Sequence, residues 1–261
     1  MPDPPQSIVD VADRIAFGRV ERAFRPTYAN SVIATVFFLG LTVLFGVATA
    51  AATKPVGVLV LAAVTAAALL ATGWGVVDTW RLLGRRCYLC EGGLLVAERH
   101  ARVTRTVAWT DIVAIWRYYL QWIAQDGPMM LSRCRLRLAD GTRLNLEKPP
   151  LVDGEELGRQ VERRSAHARL PQVLAELESA GRVAFGPLTL TSDGIRTAGG
   201  GQLSWSDITL VQLRRVRLRI RTHDGGQPVS VLARRIPNLL ILLTILDGRG
   251  LPVEINGTPR G

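Results

Sequence analysis

Two stretches of the chain carry no formal charge, Pro26 to Thr53 and Pro55 to Val77, and only Lys54 separates them. Each exceeds the roughly 20 apolar residues that a helix needs to cross a bilayer. The pattern predicts a transmembrane helical hairpin over 30–80, with spans near 31–53 and 56–77. Upstream, within 1–29, Ile8, Val11, Ile15, Val20 and Phe24 recur at helical spacing, with arginines elsewhere. This reads as a juxtamembrane helix on an anionic leaflet, or equally as an ordinary flanking helix or a disordered tail. Beyond Arg81 the period changes to short alternating runs bounded by turn residues, which predicts mostly β structure.

That β region repeats itself. Trp109-Thr110-Asp111-Ile112-Val113 recurs as Trp205-Ser206-Asp207-Ile208-Thr209. Upstream, Cys90-Glu91-Gly92-Gly93-Leu94 echoes Thr191-Ser192-Asp193-Gly194-Ile195. Downstream, Arg133 to Leu138 before Asp140-Gly141 echoes Arg217 to Arg221 before Asp224-Gly225. Each copy ends in an apolar-periodic run led by a proline, Pro171 or Pro237, read as a helix with Pro at its first position and stopped by Gly181 or Gly248. A further helix starts at Asp153, where Asp153 and Glu156 suit a capping box. The repeats predict duplicated small barrels, over 81–181 and 182–250, with a tail at 251–261.

Charge fixes the expected orientation. Lys+Arg 32 against Asp+Glu 22 gives +10 over 261 residues, and the excess lies outside the spans. Arg14, Arg19, Arg22 and Arg25 precede the first span, and Arg81, Arg85 and Arg86 follow the second. The positive-inside rule then puts both termini in the cytoplasm. Tyr28, Trp74 and Trp80 suit the interface. Gly40, Gly46 and the alanine runs permit close helix packing. Neither span holds a charged or His residue of the kind that proton-coupled transport needs.

The short strands, the Trp-x-Asp-Ile signature and one terminal helix per copy resemble the bacterial pleckstrin-homology-like (PH-like) domain. The whole chain resembles an uncharacterised group of actinobacterial membrane proteins, with a lead like Phe17-Gly18-Arg19, two spans and cytoplasmic PH-like repeats. The resemblance implies a membrane α + β fold: an N-terminal transmembrane helical hairpin followed by two PH-like small β-barrels, each closed by a C-terminal helix. It carries over no catalytic residue.

Three surfaces are candidates for binding. Arg133, Arg135 and Arg137 share one strand face, as do Arg215, Arg217, Arg219 and Arg221 in the second copy. Two such faces beside a bilayer suit anionic headgroups, or else keep a sheet face solvated. Arg99, Arg102 and Arg105, with His100, fall in a loop that in eukaryotic PH domains holds phosphoinositide; the second copy has only Arg196 and Gly199-Gly200-Gly201 there. Third, Trp109 and Arg133 are 24 positions apart, against 12 for Trp205 and Arg217. The extra segment, 117–131, carries Tyr118, Tyr119, Trp122, Ile123, Met129 and Met130. An aromatic, Met-rich insertion marks a partner or membrane contact, or packs between the barrels.

Enzymatic arrangements are absent. Asp111 and Asp207 occupy the same repeat position and read as fold elements, and no nucleophile triad, P-loop or GxGxxG is present. Cys87-x-x-Cys90 lacks a second ligand pair for zinc. No metal and no cofactor is expected. The expected function is therefore a non-enzymatic scaffold or adaptor that binds a partner protein or anionic phospholipid. The alternatives are an oligomeric channel or membrane-complex assembly factor, and a membrane-tethered nucleic-acid binder. Nucleic acid is disfavoured because the basic strands lack interleaved aromatics.

Overall fold

The computed structural model describes residues 4–98, 102–124, 127–146, 151–214, 216–223, 228–256 and 258–259, with side chains described outside 119–132 and 259. It separates into two units, Met1–Thr106 with Pro149–Val152, and Val107–Lys148 with Asp153–Gly261.

The first unit runs α1 (Gln6–Arg14), β1 (Val20–Phe24), α2 (Ala29–Ala51), α3 (Pro55–Leu83), β2 (Arg86–Cys90), β3 (Gly93–Glu98) and β4 (Arg102–Ala108). Its sheet has the order β1-β2-β3-β4. The helical hairpin is thus an insertion between two neighbouring strands. β1 pairs antiparallel with β2, Phe24 opposite Cys87 and Ala23 opposite Tyr88. The expected juxtamembrane helix is therefore shorter than its apolar pattern: Val20 and Phe24 lie on a strand. The apolar face of α1 is not free for a leaflet either. Ile8 and Ala12 are fully buried on Tyr88, Cys90, Leu95 and Ala97. The chain leaves α1 through a left-handed Ala16 and a left-handed Gly18. There the Gly92 N–H donates to the Phe17 carbonyl at 2.8 Å, and a Cβ on Gly92 would come within 2.9 Å of Phe17 Cα.

Both hairpin helices are long and apolar enough to cross a membrane, with mean hydropathy 2.3. Their seam is polar. Ser31 Oγ donates to Asp78 Oδ2 at 2.8 Å, and a Cβ on Gly75 would strike Thr35 Oγ1. Further along, the hydroxyls of Thr42 and Thr72, and of Thr49 and Thr65, lie 3.5 Å apart. Threonines seven apart on each helix keep returning to one face, the signature of a left-handed supercoiled pair. Each of Thr35, Thr42, Thr49, Thr65 and Thr72 also donates to the carbonyl four residues earlier, which satisfies these five hydroxyl protons within their own helices. Phe37, Leu44, Val47, Leu59, Leu70 and Trp74 point outward and are exposed.

The second unit begins with β5 (Ile112–Ala124), β6 (Gly127–Leu138) and β7 (Arg143–Asn145), then α4 (Gly154–Ala180). It continues with β8 (Arg182–Phe185), β9 (Leu188–Thr191), β10 (Gly194–Thr197), β11 (Gln202–Ser204), β12 (Ile208–Arg214), β13 (Arg217–Thr222) and β14 (Val229–Leu232). It ends with α5 (Leu239–Gly248), β15 (Val253–Ile255) and β16 (Thr258–Pro259). The sheets are β5-β6-β7, β11-β10-β9-β8 and β14-β13-β12-β15-β16, antiparallel apart from the β12–β15 pair. None closes on itself among the described residues.

Several boundaries differ from expectation. Pro171 lies inside one unbroken helix, α4. Asp153 precedes α4 in a left-handed conformation and makes no side-chain cap. Pro237 stands before the cap residue of α5, Asn238, rather than at the first helical position. α4 stays continuous because it serves two cores. Near its start Leu157 and Val161 are buried, and a Cβ on Gly158 would lie 3.3 Å from Cys134 Cβ on β6. Further on, Ala166, Val173 and Leu177 join Phe185, Leu190, Ile195, Leu218, Ile220 and the apolar face of α5.

The two copies also correspond further upstream than the sequence indicates. A helix, a left-handed turn, four sheet strands, a Trp-x-Asp turn and three more strands follow one another as α1, β1–β4, β5–β7 and again as α4, β8–β11, β12–β14. In the second copy β8 and β9 are joined by Gly186-Pro187 alone. In the first, the entire helical hairpin occupies that turn.

β5 is an edge strand of its sheet, and Asn238 pairs with that edge. Its N–H donates to the Ile115 carbonyl (2.8 Å), its Oδ1 accepts from the Ile115 N–H (2.9 Å), and its Nδ2 donates to the Val113 carbonyl (3.0 Å). Arg169 Nη1 donates to the Ile112 carbonyl at 3.0 Å. Asn238→Ala strands one donor and one acceptor at this edge and puts alanine in a left-handed conformation. The expected loss is about 2–4 kcal/mol, measured as a lowered thermal midpoint in detergent. Asn238→Gly, which relieves only the backbone strain, should fall between the two.

Candidate ligand-binding surfaces

The Trp-x-Asp motifs are turns in both copies. Residues Trp109–Asp111 and Trp205–Asp207 form single 3-10 turns that lead into β5 and β12. The Asp111 carbonyl accepts from the Ala139 N–H, and the Asp207 carbonyl from the His223 N–H, both at 2.9 Å. Each motif thus ties the start of one strand to the far end of its partner. Asp111 Oδ2 also accepts from the Ala108 N–H at 3.3 Å. Trp109 is buried with Arg164 over its ring at 5.9 Å. Trp205 is half-buried, donates from Nε1 to the Ser192 carbonyl at 2.7 Å and carries Arg249 at 4.5 Å.

Alternation along β6 turns Cys134, Leu136 and Leu138 inward and leaves Arg135 and Arg137 exposed, with Arg133 half-buried. Along β13, Leu218 and Ile220 are buried while Arg217, Arg219 and Arg221 are exposed. The sequence reading missed what lies between the first set. In register, Trp116 is opposite Arg135 and Tyr118 opposite Arg133. Arg135 stands over the Tyr118 ring at 6.0 Å and Arg137 over Trp116 at 5.8 Å. The neighbouring strand supplies the aromatics that β6 lacks. Neither ring is an open stacking platform, however: Tyr118 is 9% exposed and Trp116 is half-buried. The second face differs again, since Arg217 Nε donates to Ser230 Oγ at 2.8 Å. Arg215 lies outside the described residues.

The opposite face of β5 and β6 is closed by an ion pair. Arg117 Nε donates to Glu162 Oε2 at 2.5 Å, with Glu162 8% exposed. Nearby, burial holds the Arg169 guanidinium below its ordinary pKa; Glu176 opposes this and Arg137 reinforces it.

Of the expected loop arginines, Arg99 lies outside the described residues, and Arg102 and Arg105 sit on β4. They belong to the first unit, and the β13 arginines to the second. The aromatic insertion lengthens a β-hairpin: pairing continues from Tyr119 opposite Ser132, through Trp122 opposite Met129, to Ala124 opposite Gly127. The side chains of Tyr119, Trp122, Ile123, Met129 and Met130 lie outside the described set.

Cys87 and Cys90 are three apart on β2, so their side chains leave opposite faces of the strand and cannot grip one ion. No group of three potential metal ligands occurs among the described residues.

Two long apolar helices inserted into one turn of a sheet, followed by further antiparallel sheets and two shared helices, define the class. The chain belongs to a family of unknown function (DUF6585), whose pattern matches residues 1–250. That match takes in α1, the hairpin and both repeats. No curated protein matches the chain.

Burial pushes the Cys87 thiol up to about 11, with Arg85 acting in the opposite direction. Iodoacetamide should therefore leave Cys87 of the folded protein unmodified at neutral pH, and the rate should climb as pH rises towards 11. The check is mass spectrometry of the Cys87 peptide; half-maximal reactivity below pH 9 contradicts the burial argument.

Proposed function

We propose that this protein is a non-enzymatic integral membrane protein that holds tandem PH-like modules against the cytoplasmic face of a bacterial plasma membrane. There it binds a partner protein or anionic lipid headgroups as a scaffold or adaptor. The observation that carries the reading is the β1–β2 pairing on either side of the hairpin. Strands that flank a pair of apolar helices can pair only if both helices return to the same side. With arginines on both flanks, that side is the cytoplasm. The PH-like assignment draws on the twice-used order of four strands, Trp-x-Asp turn, three strands and helix. An oligomeric channel fits less well, because the polar threonines face each other within the hairpin and its outer surface is apolar. A nucleic-acid binder also fits less well, because the rings among the arginines are covered.

The hairpin tip β5–β6 is the proposed partner contact. Tyr118 and Arg133 face each other in register, so replacing 119–132 by Asn-Gly closes the hairpin with a two-residue turn and leaves the sheet below intact. In pull-downs from native membranes, a specific partner should be retained by the intact chain and lost by the truncated one. An identical set of retained proteins overturns the tip as the contact.

A further inference from the structure

A cavity of about 420 Å³ opens where the second membrane helix joins the sheet, lined by Pro5, Ser7, Leu83, Gly84, Arg86, Tyr88, Ala97 and Glu98. α1 lies across the sheet face that carries Arg86, Tyr88 and Cys90, and the cavity is the corner that its first turn leaves uncovered. We infer that this cavity binds the phosphodiester of an anionic membrane phospholipid. The inference rests on the proposal that the hairpin crosses the bilayer, and it names a ligand and a place that the arginine strands do not.

Three features point to an anion. Arg86 is half-buried, and its guanidinium has no ion pair or hydrogen bond among the described residues. Tyr88, another lining residue, is 1% exposed, and its hydroxyl has no hydrogen-bond partner among the described residues. Both are donors on the cavity lining whose hydrogen bonds a bound anion could take over from solvent, the guanidinium as a charge-assisted pair. The third feature is the start of α1. Pro5 provides no side-chain cap, and the first turn holds no acidic residue, so the positive end of that helix is uncompensated. The acid in the lining, Glu98, is engaged by Arg85 at 3.3 Å. The guanidinium of Arg86 therefore remains available for a phosphate.

Height in the membrane selects a lipid as the source. α3 continues from Val77 through Asp78 to Leu83, which at about 1.5 Å per residue is a rise of roughly 9 Å beyond the uncharged segment. The headgroup layer is about 5–8 Å deep on each side of the hydrocarbon. Leu83 and Gly84 therefore end α3 at the outer edge of the headgroup layer.

The test uses the full chain in phosphatidylcholine nanodiscs doped with phosphatidylglycerol, and counts the lipids retained on release by native mass spectrometry. One phosphatidylglycerol should remain per chain. Arg86→Gln should lower its retention about tenfold or more and Tyr88→Phe a few-fold, while Arg86→Lys keeps part and Arg81→Gln keeps all. Tyr88→Phe keeps the ring in its core position and carries the test if Arg86→Gln does not fold. Equal losses for Arg81→Gln and Arg86→Gln, or equal retention of phosphatidylcholine, overturn the site. Displacement by millimolar inorganic phosphate overturns the lipid source. A chain that stays in solution without detergent or nanodisc overturns the membrane reading instead, a result distinguishable from all of these.

Discussion

The pairing of β1 with β2 is the contact on which the first unit depends. It joins residues on either side of both apolar helices, with Phe24 opposite Cys87, and so holds the two strand ends that lead to the helices about one strand spacing apart, roughly 4.8 Å. A pair of helices held that closely at one end must pack along its length. The threonine seam and the near contact of Gly75 with Thr35 show how the side chains allow it. In lipid, where apolar faces gain nothing by meeting each other, packing and modest polar contacts of about 0.6 kcal/mol each hold helices together. The sheet below supplies the closure that those contacts alone would have to provide.

In the second unit the comparable problem is an exposed strand edge. β5 would offer a row of unpaired amides and carbonyls to any other chain. Asn238 and Arg169 occupy that edge from α5 and α4, so the groups that terminate one helix and line another also finish a sheet. The same economy explains why α4 is not broken at Pro171. Its first turns face Cys134 and the Arg117–Glu162 pair, and its last turns face the core around Phe185 and Leu190. A break at Pro171 would uncouple those two contacts.

Much of this was legible in the residues. Charge-free runs marked the hairpin, alternation marked the arginine strands, and the Trp-x-Asp-Ile echo marked the repeat. What escaped was β1. Val20 to Phe24 is only five residues, holds Glu21 and Arg22, and is separated from its partner strand by both apolar helices. Local periodicity therefore favoured a helix, and a long-range pairing decided otherwise. Trp116 and Tyr118 escaped as companions of the β6 arginines because cross-strand register is invisible along one strand. The unpartnered Arg86 and Tyr88 carried no local motif at all. They became a candidate site only once α1 was seen to cover all but one corner of their sheet face. The threonine spacing, by contrast, was present in the sequence and could have been read as a seam.

The position of the hairpin inside a single strand connection also sets an order of events during synthesis. β1 leaves the ribosome before either apolar helix, but its partner emerges only after roughly 60 further residues, several seconds later at about 5–20 residues per second. During that interval β1 has no edge to join, and the face of Tyr88 that will receive α1 does not yet exist. Completion of the first sheet therefore waits on correct return of the second helix. If the hairpin crosses a bilayer as proposed, a chain with only one helix inserted leaves β1 and β2 on different sides and keeps an unpaired strand. On that reading the first sheet can close only where both ends of the hairpin lie on one side of the bilayer.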